Sequence, residues 1–381
     1  MRDFPRERLR QRRFGKTELR LSVFSLGTMR FASAAAAADV LKAAISQGIN
    51  HVETAPAYGD SESYMGRAIA AHDRRRLVIT SKLTPTLTAD QVDRAIDGSL
   101  SRLGVGYLDC LAIHGINTAA HLEWARSHML GAIARAQADG RIRHLGFSTH
   151  GPLDVIQAAI ATQAFAFVNL HYSYFFQRNA SAIEQAHQQD MGVFIISPAD
   201  KAGMLYTPPE KLKALCAPFD PLLLNYRWLL SDPRITTLSV GPAIPSELDW
   251  PLTVAGNDGP LSTAERQAIE RLDHSQREAL GSDRCAQCHQ CLPCPEVINI
   301  PEVLRLRNLA VAYDMSAFGQ YRYGMFEKAG HWFPGRRGDR CTDCGDCLPR
   351  CPEQLDIPAL LRDTHQRLQG KPRRRLWEET D

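Results

Sequence analysis

Residues 51–54 read HVET, and whether this short run is a strand decides the fold. Seven other apolar runs recur over the same two-thirds of the chain: VFSLGT (23–28), LVIT (77–80), LDCLAIH (108–114), IRHLGFS (142–148), FAFVNL (165–170), GVFIIS (192–197) and ITTLSV (235–240). Segments of helical periodicity separate them, the pattern of repeated βα units around a parallel sheet. With HVET as the second strand the count reaches eight. Eight units in roughly 250 residues fit a (β/α)8 TIM barrel better than a Rossmann sheet. No G-x-G-x-x-G follows the first strand, which also counts against a Rossmann fold. Helices are expected at Ala34–Ser46, capped by Ser33, at Ala89–Leu103, and at Thr263–Leu272, where Ser262 and Glu265 form a capping box.

Composition bounds the rest. With 381 residues, 44% of them hydrophobic, the chain is expected to form one large α/β domain and one smaller one. Formal net charge is +3, with basic residues gathered in the opening RDFPRERLRQRRFGK and the closing KPRRR. These read as solvated tails rather than a dock for nucleic acid or an acidic partner. No apolar region follows the N-terminal charges and no run is long enough to cross a bilayer, so a cytoplasmic protein without a membrane partner is expected. Cys110 and Cys216 stand alone in apolar surroundings and read as core residues.

In such a barrel the chemistry sits at the C-terminal ends of the strands. Glu53 and Tyr58 follow the second strand, Lys82 ends the third, His114 the fourth, and Ser148, Thr149 and His150 the fifth. A tyrosine that exchanges a proton near neutral pH starts from a reference pKa near 10, and a neighbouring ammonium favours its phenolate. Lys82 is placed to supply that charge, Glu53 to fix the lysine, and His114 to hold a carbonyl oxygen towards Tyr58. The set suits proton delivery to an alkoxide as hydride arrives, or the reverse.

HVETAPAYGDSESYMG, ITSKL, LAIHG and GFSTH resemble, in order and spacing, motifs of the aldo/keto reductases, and KTELRLSVFSLGTMRF resembles their first hairpin and strand. The resemblance implies an NAD(P)H-linked oxidoreductase that interconverts small carbonyls and alcohols. Tyr58 would be the general acid, Lys82 and Glu53 its tuning pair and His114 the orienting residue. NADP(H) or NAD(H) would lie extended across the barrel mouth. It would meet Thr28 after the first strand, Ser148, Thr149 and Asn169 at the carboxamide, and Tyr172 or Tyr174 at the ring. Ser197 and Gly203 would follow the pyrophosphate, and Ser239, Gly241 and Glu247 the adenosine end. Trp124, Phe175 and Phe176 are candidates to line the substrate pocket. Three departures bear on this: Glu53 stands where the family has Asp, Thr149 follows Ser148 where it has Asn, and Ala243 and Pro251 replace a basic residue and an asparagine near the 2′-phosphate. The last leaves the choice between NADP and NAD open.

The remaining eight cysteines form two runs, CAQCHQCLPCP (Cys285, Cys288, Cys291, Cys294) and CTDCGDCLPRCP (Cys341, Cys344, Cys347, Cys351). The second has the C-x2-C-x2-C-x3-C-P spacing of bacterial ferredoxins, and the first is one residue shorter before its last cysteine. Zinc sites take cysteines in separated pairs, so three consecutive C-x-x-C steps before Cys-Pro favour two [4Fe–4S] clusters. If each run gives its fourth thiolate to the other centre, Cys285, Cys288, Cys291 and Cys351 form one set, and Cys341, Cys344, Cys347 and Cys294 the other. Each run also leads through an Ile-Pro turn into a helix, a two-fold repeat. It resembles the C-terminal domain of the iron–sulfur branch of the aldo/keto reductases, a small α-helical ferredoxin-like iron–sulfur domain.

The expected boundaries are 13–272 for the barrel and 282–368 for this domain, with charged tails at 1–12 and 369–381. The aromatic segment AYDMSAFGQYRYGMFEKAGHWF is expected to pack the domain against the barrel, a flavin or quinone site being the alternative. Hydride carries two electrons and a cubane one, so three roles stay open for the clusters: structural staples, a redox sensor, or a wire to a one-electron partner such as a ferredoxin. A second reading makes the whole chain a non-catalytic electron carrier or redox sensor that uses the barrel as a nucleotide-binding scaffold.

Overall fold

The computed structural model describes residues 9–370, and the extreme basic residues at 1–8 and 371–381 lie outside it. The chain divides into two compact units, one comprising residues up to Pro198 together with Asn225–Pro260, the other Ala199–Leu224 together with residues from Leu261 on.

In the first unit the eight expected strands are present: β1 (Phe24–Gly27), β2 (His51–Glu53), β3 (Val78–Leu83), β4 (Leu108–His114), β5 (Ile142–Ser148), β6 (Phe167–Leu170), β7 (Gly192–Ile195) and β8 (Thr237–Val240). Each pairs in parallel with the next, and β8 closes on β1 through Leu238↔Phe24, Ser239↔Ser25 and Val240↔Leu26. HVET is therefore a strand, in register with β1 through Leu26↔Val52 and with β3 through Glu53↔Thr80.

An antiparallel hairpin, Gln11–Arg13 with Arg20–Ser22, precedes the barrel. Its Phe14 is fully buried in a cluster with Leu21, Cys110, Ala112, Phe167 and Phe194, so Cys110 is a core residue as expected. Two strand glycines make room for these rings. A Cβ on Gly192 would lie 2.2 Å from the Phe14 ring, and one on Gly146 would lie 2.5 Å from Phe167. The solvated-tail reading fails for Arg12. Its guanidinium donates to the carbonyls of Leu230 (2.5 Å), Asp232 (3.0 Å), Ile235 (2.6 Å) and Asp258 (2.7 Å), because these chain ends have carbonyls that no strand or helix satisfies.

In the second unit the helix that opens with the Ser262/Glu265 capping box continues to Leu280, eight residues beyond the expected Leu272. Nothing from Asp273 to Leu280 breaks a helix, and the chain turns at Gly281, where φ is 49°. The connection to the first cysteine run is therefore mostly helical rather than extended. This helix packs on Ile300–Tyr313 through Tyr313 Oη to Leu272 O (3.1 Å) and Ser275 Oγ to Ala312 O (3.1 Å). The aromatics between the runs, Tyr313, Phe318, Tyr323, Phe326 and Phe333, are buried within this unit's own core, with Phe326 4.6 Å from Phe333 between ring centroids.

Candidate active site

Glu53 ends β2, Lys82 lies in β3 beside it, and both are buried to within 5%. The Ala55–Tyr58 turn, closed by Tyr58 N to Ala55 O (3.0 Å), brings Tyr58 back over the strand ends. The Lys82 ammonium donates to Tyr58 Oη (2.9 Å) and Thr54 O (3.0 Å) and forms a very short ion pair with Glu53. An ammonium has three protons, and each has an acceptor. His114, at the end of β4, stands edge-on to Tyr58, with ring centroids 5.8 Å apart and an interplanar angle of 87°. The four residues expected to form a reactive centre are thus together.

The charges are not as the sequence suggests. Burial alone would pull the Lys82 pKa down, but Glu53 and Tyr58 outweigh it and the ammonium is held above its ordinary value. Tyr58 is also pushed up, by burial first and by Glu53 second, and Lys82 offsets only part of that. The phenol is therefore neutral at physiological pH, a proton donor rather than a pre-formed phenolate. The carboxylate that fixes the lysine cancels much of the lysine's pull on the phenol. Deeper in the barrel, His51 is neutral, lowered to about 3 by burial and the Lys82 charge. Its ring nitrogens meet Ser25 Oγ (2.7 Å) and Thr80 Oγ1 (2.8 Å).

One position stands out among the nucleotide residues. Asn169, at the β6 end, is fully buried, and neither its amide oxygen nor its amide nitrogen has a hydrogen-bond partner. Buried amides are normally satisfied. A ligand carrying one donor and one acceptor, as a carboxamide does, fits this residue. Ser148 beside it accepts from Gly115 N (3.1 Å). Thr149 is different: its hydroxyl donates to Ile116 O (2.8 Å) and accepts from Gly151 N (3.0 Å), so it is committed to the loop. Thr28 is likewise engaged, donating to Glu53 O (3.2 Å) and accepting from Ser61 Oγ (2.6 Å), which braces the Glu53 turn.

Tyr172 lies against Trp228 at 5.2 Å. Ser197 has a positive φ of 50° just after β7. The Cβ direction at Gly203 is filled by Met315, 2.1 Å from where that atom would be. In β8 the Ser239 hydroxyl lies 2.9 Å from where a Cβ on Gly27 would be, and just after the strand Gly241 O accepts from Arg30 (3.0 Å). Glu247 receives Arg30 through both oxygens (2.7 and 3.2 Å) and Ala243 N (2.8 Å). Sequence reasoning missed Glu62, a buried carboxylate that accepts from Ser81 Oγ (2.5 Å) and Arg102 Nε (2.7 Å) and so anchors the strand carrying Lys82. It also missed the contact between His150 Nδ1 and His171 Nε2 at 3.1 Å.

In the second unit the eight cysteines line two small hollows. Cys294, Cys341, Cys344 and Cys347 line one. Cys285, Cys288, Cys291 and Cys351 line the other. All eight are free thiols. Burial pushes the Cys285 thiol up to about 11 and the Cys291 thiol up to about 12. Four soft donors around each apolar hollow are the donor set a cubane takes.

Residues 24–273, most of the barrel chain, match the family model described as "Aldo/keto reductase family". The chain belongs to the aldo/keto reductase family. Residues 284–355 match a "4Fe-4S dicluster domain", so this member carries an iron–sulfur type of C-terminal domain. Among relatives, an aldo-keto reductase of Mycobacterium sp. (strain KMS) is 39% identical over 113 residues, 29% of this chain and 40% of that protein. The 6-dehydroglucose reductase of Novosphingobium aromaticivorans is 33% identical over 158 residues, 36% of this chain and 50% of that protein. The chain thus spans half or less of these relatives' length. Among solved structures, the holo form of a Bacillus halodurans aldo-keto reductase aligns with a TM-score of 0.62 at 20% identity, over 69% of this chain and 96% of that one. A Klebsiella pneumoniae aldo-keto reductase in complex with NADPH aligns at 0.59 and 22%, over 70% of this chain and 95% of that one. These structural likenesses carry the barrel fold.

If Glu53 is what keeps the buried Lys82 charged at tolerable cost, Glu53→Gln should lower unfolding stability by ~3–5 kcal/mol, the usual consequence of stranding one partner of a buried pair. Urea unfolding of the barrel measures this. A loss below ~1 kcal/mol would show that the ammonium is stabilised elsewhere.

Proposed function

We propose that the protein is an NAD(P)H-linked oxidoreductase that interconverts a small carbonyl compound and its alcohol at Tyr58, and that it carries two [4Fe–4S] clusters. The observation that carries the first part is the Lys82 ammonium donating to Tyr58 Oη (2.9 Å), with His114 edge-on to the same ring. Bound nicotinamide supplies or accepts hydride. The chain's own part is the proton. Tyr58, neutral, holds the proton that a reduced carbonyl oxygen takes up, and the Lys82 N–H stabilises the phenol oxygen as that proton leaves. Glu53 keeps Lys82 charged, and His114 donates towards the substrate oxygen. Asn169, with both amide atoms unpaired, is the residue we assign to the nicotinamide carboxamide, with Ser148 beside it. Tyr172, Ser197, Ser239, Gly241 and Glu247 complete the proposed nucleotide path. Thr28 and Thr149 act by bracing the loops, because their hydroxyls are already bonded there. Domain limits of 13–272 and 282–368 accompany this reading.

The non-catalytic alternative has no use for a charged lysine buried against a tyrosine. Tyr58→Phe separates the two readings. It should lower carbonyl reduction by at least ~100-fold while leaving nucleotide affinity nearly unchanged. In Lys82→Met the phenol loses the one neighbour that favours its ionised form, so the pH profile of alcohol oxidation should move to higher pH. Turnover within a few-fold of wild type in Tyr58→Phe, or an unmoved profile in Lys82→Met, refutes the assignment.

For the clusters, each cavity draws three cysteines from one run and the fourth from the other, which supports interleaved ligation. Anaerobic reconstitution should give about eight irons per chain. Cys294→Ser should alter the paramagnetic resonance signal of the centre held by Cys341, Cys344 and Cys347. An effect on the centre of Cys288 instead would mean that each run holds its own cluster. The partners of this function are a small carbonyl or alcohol and, for the clusters, a one-electron donor or acceptor protein.

A further inference from the structure

The two cysteine runs repeat each other in backbone as well as in sequence. Gln287 and Asp343 have φ of 58° and 56°, His289 and Gly345 of 64° and 81°, and Val297 and Gln354 of 57° and 52°. Leu292 N bonds His289 O (3.1 Å) as Leu348 N bonds Gly345 O (3.0 Å), and Val297 N bonds Cys294 O (2.9 Å) as Gln354 N bonds Cys351 O (3.1 Å). Asn299 and Asp356 then cap the two following helices. The symmetry breaks at one residue. The second run has Arg350 between its last Pro and Cys, where the first has nothing.

Arg350 does not extend away from the cysteines. It donates through Nε to Asp346 O (2.7 Å) and through Nη2 to Pro293 O in the other run (3.1 Å). It lines the cavity of Cys294, Cys341, Cys344 and Cys347. No lysine or arginine among the described residues lines the cavity of Cys285, Cys288, Cys291 and Cys351, where the ionisable side chains besides the cysteines are His289 and Glu353. The equivalent carboxylate in the first cavity, Glu296, faces Arg336 at 3.6 Å. Of the two aspartates in the second run, Asp343 is paired with Arg362 at 2.5 Å, and Asp346 is exposed and lines neither cavity.

We infer that Arg350 makes the two centres electrically inequivalent, so that the cluster at Cys294, Cys341, Cys344 and Cys347 has the higher reduction potential and is where an electron entering the domain comes to rest. The inference rests on the two-cluster reading. On one-electron reduction by an external donor no bond breaks, and a cubane with four thiolates gains one negative charge. A guanidinium at its edge, always protonated, favours that more negative state, and an adjacent carboxylate opposes it. Arg350 is a positioning and charge residue, not a ligand.

The test is a dithionite titration of the reconstituted full-length protein followed by electron paramagnetic resonance, in wild type, Arg350→Gln, Arg350→Lys and Glu353→Gln, with iron counted in each. Cys344→Ser marks which wave belongs to which centre. Eight irons establish the two-cluster reading independently of the potentials, and fewer in wild type would overturn it and this inference with it. With eight irons present, Arg350→Gln should move only the higher wave, the one marked by Cys344→Ser, to more negative potential, and Arg350→Lys should leave it near wild type. Glu353→Gln should move only the lower wave, upward. A merely structural clasp would change iron content and leave the potentials alone. Two waves that stay put or shift together in Arg350→Gln overturn the inference. If that variant does not take up eight irons, an unmoved lower wave in Glu353→Gln does so.

Discussion

A lysine buried in a barrel strand constrains everything near it. The Lys82 ammonium is 2% exposed, and an unpaired charge at that depth is too costly to persist. Its three protons therefore dictate what surrounds them: the Glu53 carboxylate, the Thr54 carbonyl and the Tyr58 hydroxyl. The first two come from the end of β2 and the third from the turn that follows it. The order of strands around the barrel thus translates directly into the order of groups at the site. The next layer follows the same logic. Thr28 and Ser61 brace the turn that carries Glu53 and Tyr58, and Glu62 with Arg102 ties down the outer side of the strand that carries Lys82.

The same electrostatics sets the protonation state of the tyrosine. A lysine alone would draw the phenol towards ionisation, but the carboxylate that makes a buried lysine tolerable pushes the other way, and burial adds to it. The result is a phenol that keeps its proton and stands in a hydrogen bond to a cation. Such a group gives up its proton only to a strong base, which, in the proposed reaction, is what a carbonyl oxygen becomes as hydride is added.

Much of this was legible in the sequence, and the failures have common causes. Strand number and the clustering of Glu53, Tyr58, Lys82 and His114 were readable because each strand is a short apolar run and its polar residues sit where the run stops, a local pattern. HVET counted as a strand for that reason, and Glu53, Tyr58, Lys82 and His114 could be placed around one mouth. The sign of the Tyr58 shift was not readable, since it depends on the depth of burial and on the balance of two neighbours. Arg12 looked like one more residue of a basic tail because its acceptors are backbone carbonyls more than 200 positions away, which no composition shows. The bond from the Thr149 hydroxyl to the distant Ile116 carbonyl was likewise not readable. The helix expected to end at Leu272 runs on to Leu280 because no residue between them opposes a helix. The helix Ile300–Tyr313 opens at the expected Ile-Pro turn, and its charged Glu302, Arg305 and Arg307 are buried, with Glu302–Arg305 and Arg307–Asp363 forming ion pairs at 2.7 Å, the second with a partner that no local pattern shows.

The central claim is that the barrel is a nicotinamide nucleotide site whose carboxamide end is Asn169. Calorimetric titration of NADPH and NADH into the full-length protein and into Asn169→Leu tests it most directly. At least one nucleotide should bind wild type with a stoichiometry of one, and the leucine variant should bind it at least ~10-fold more weakly, since a nicotinamide amide would lose two hydrogen bonds worth ~1 kcal/mol each. Binding of neither nucleotide by wild type, or equal binding by the variant, would contradict the account.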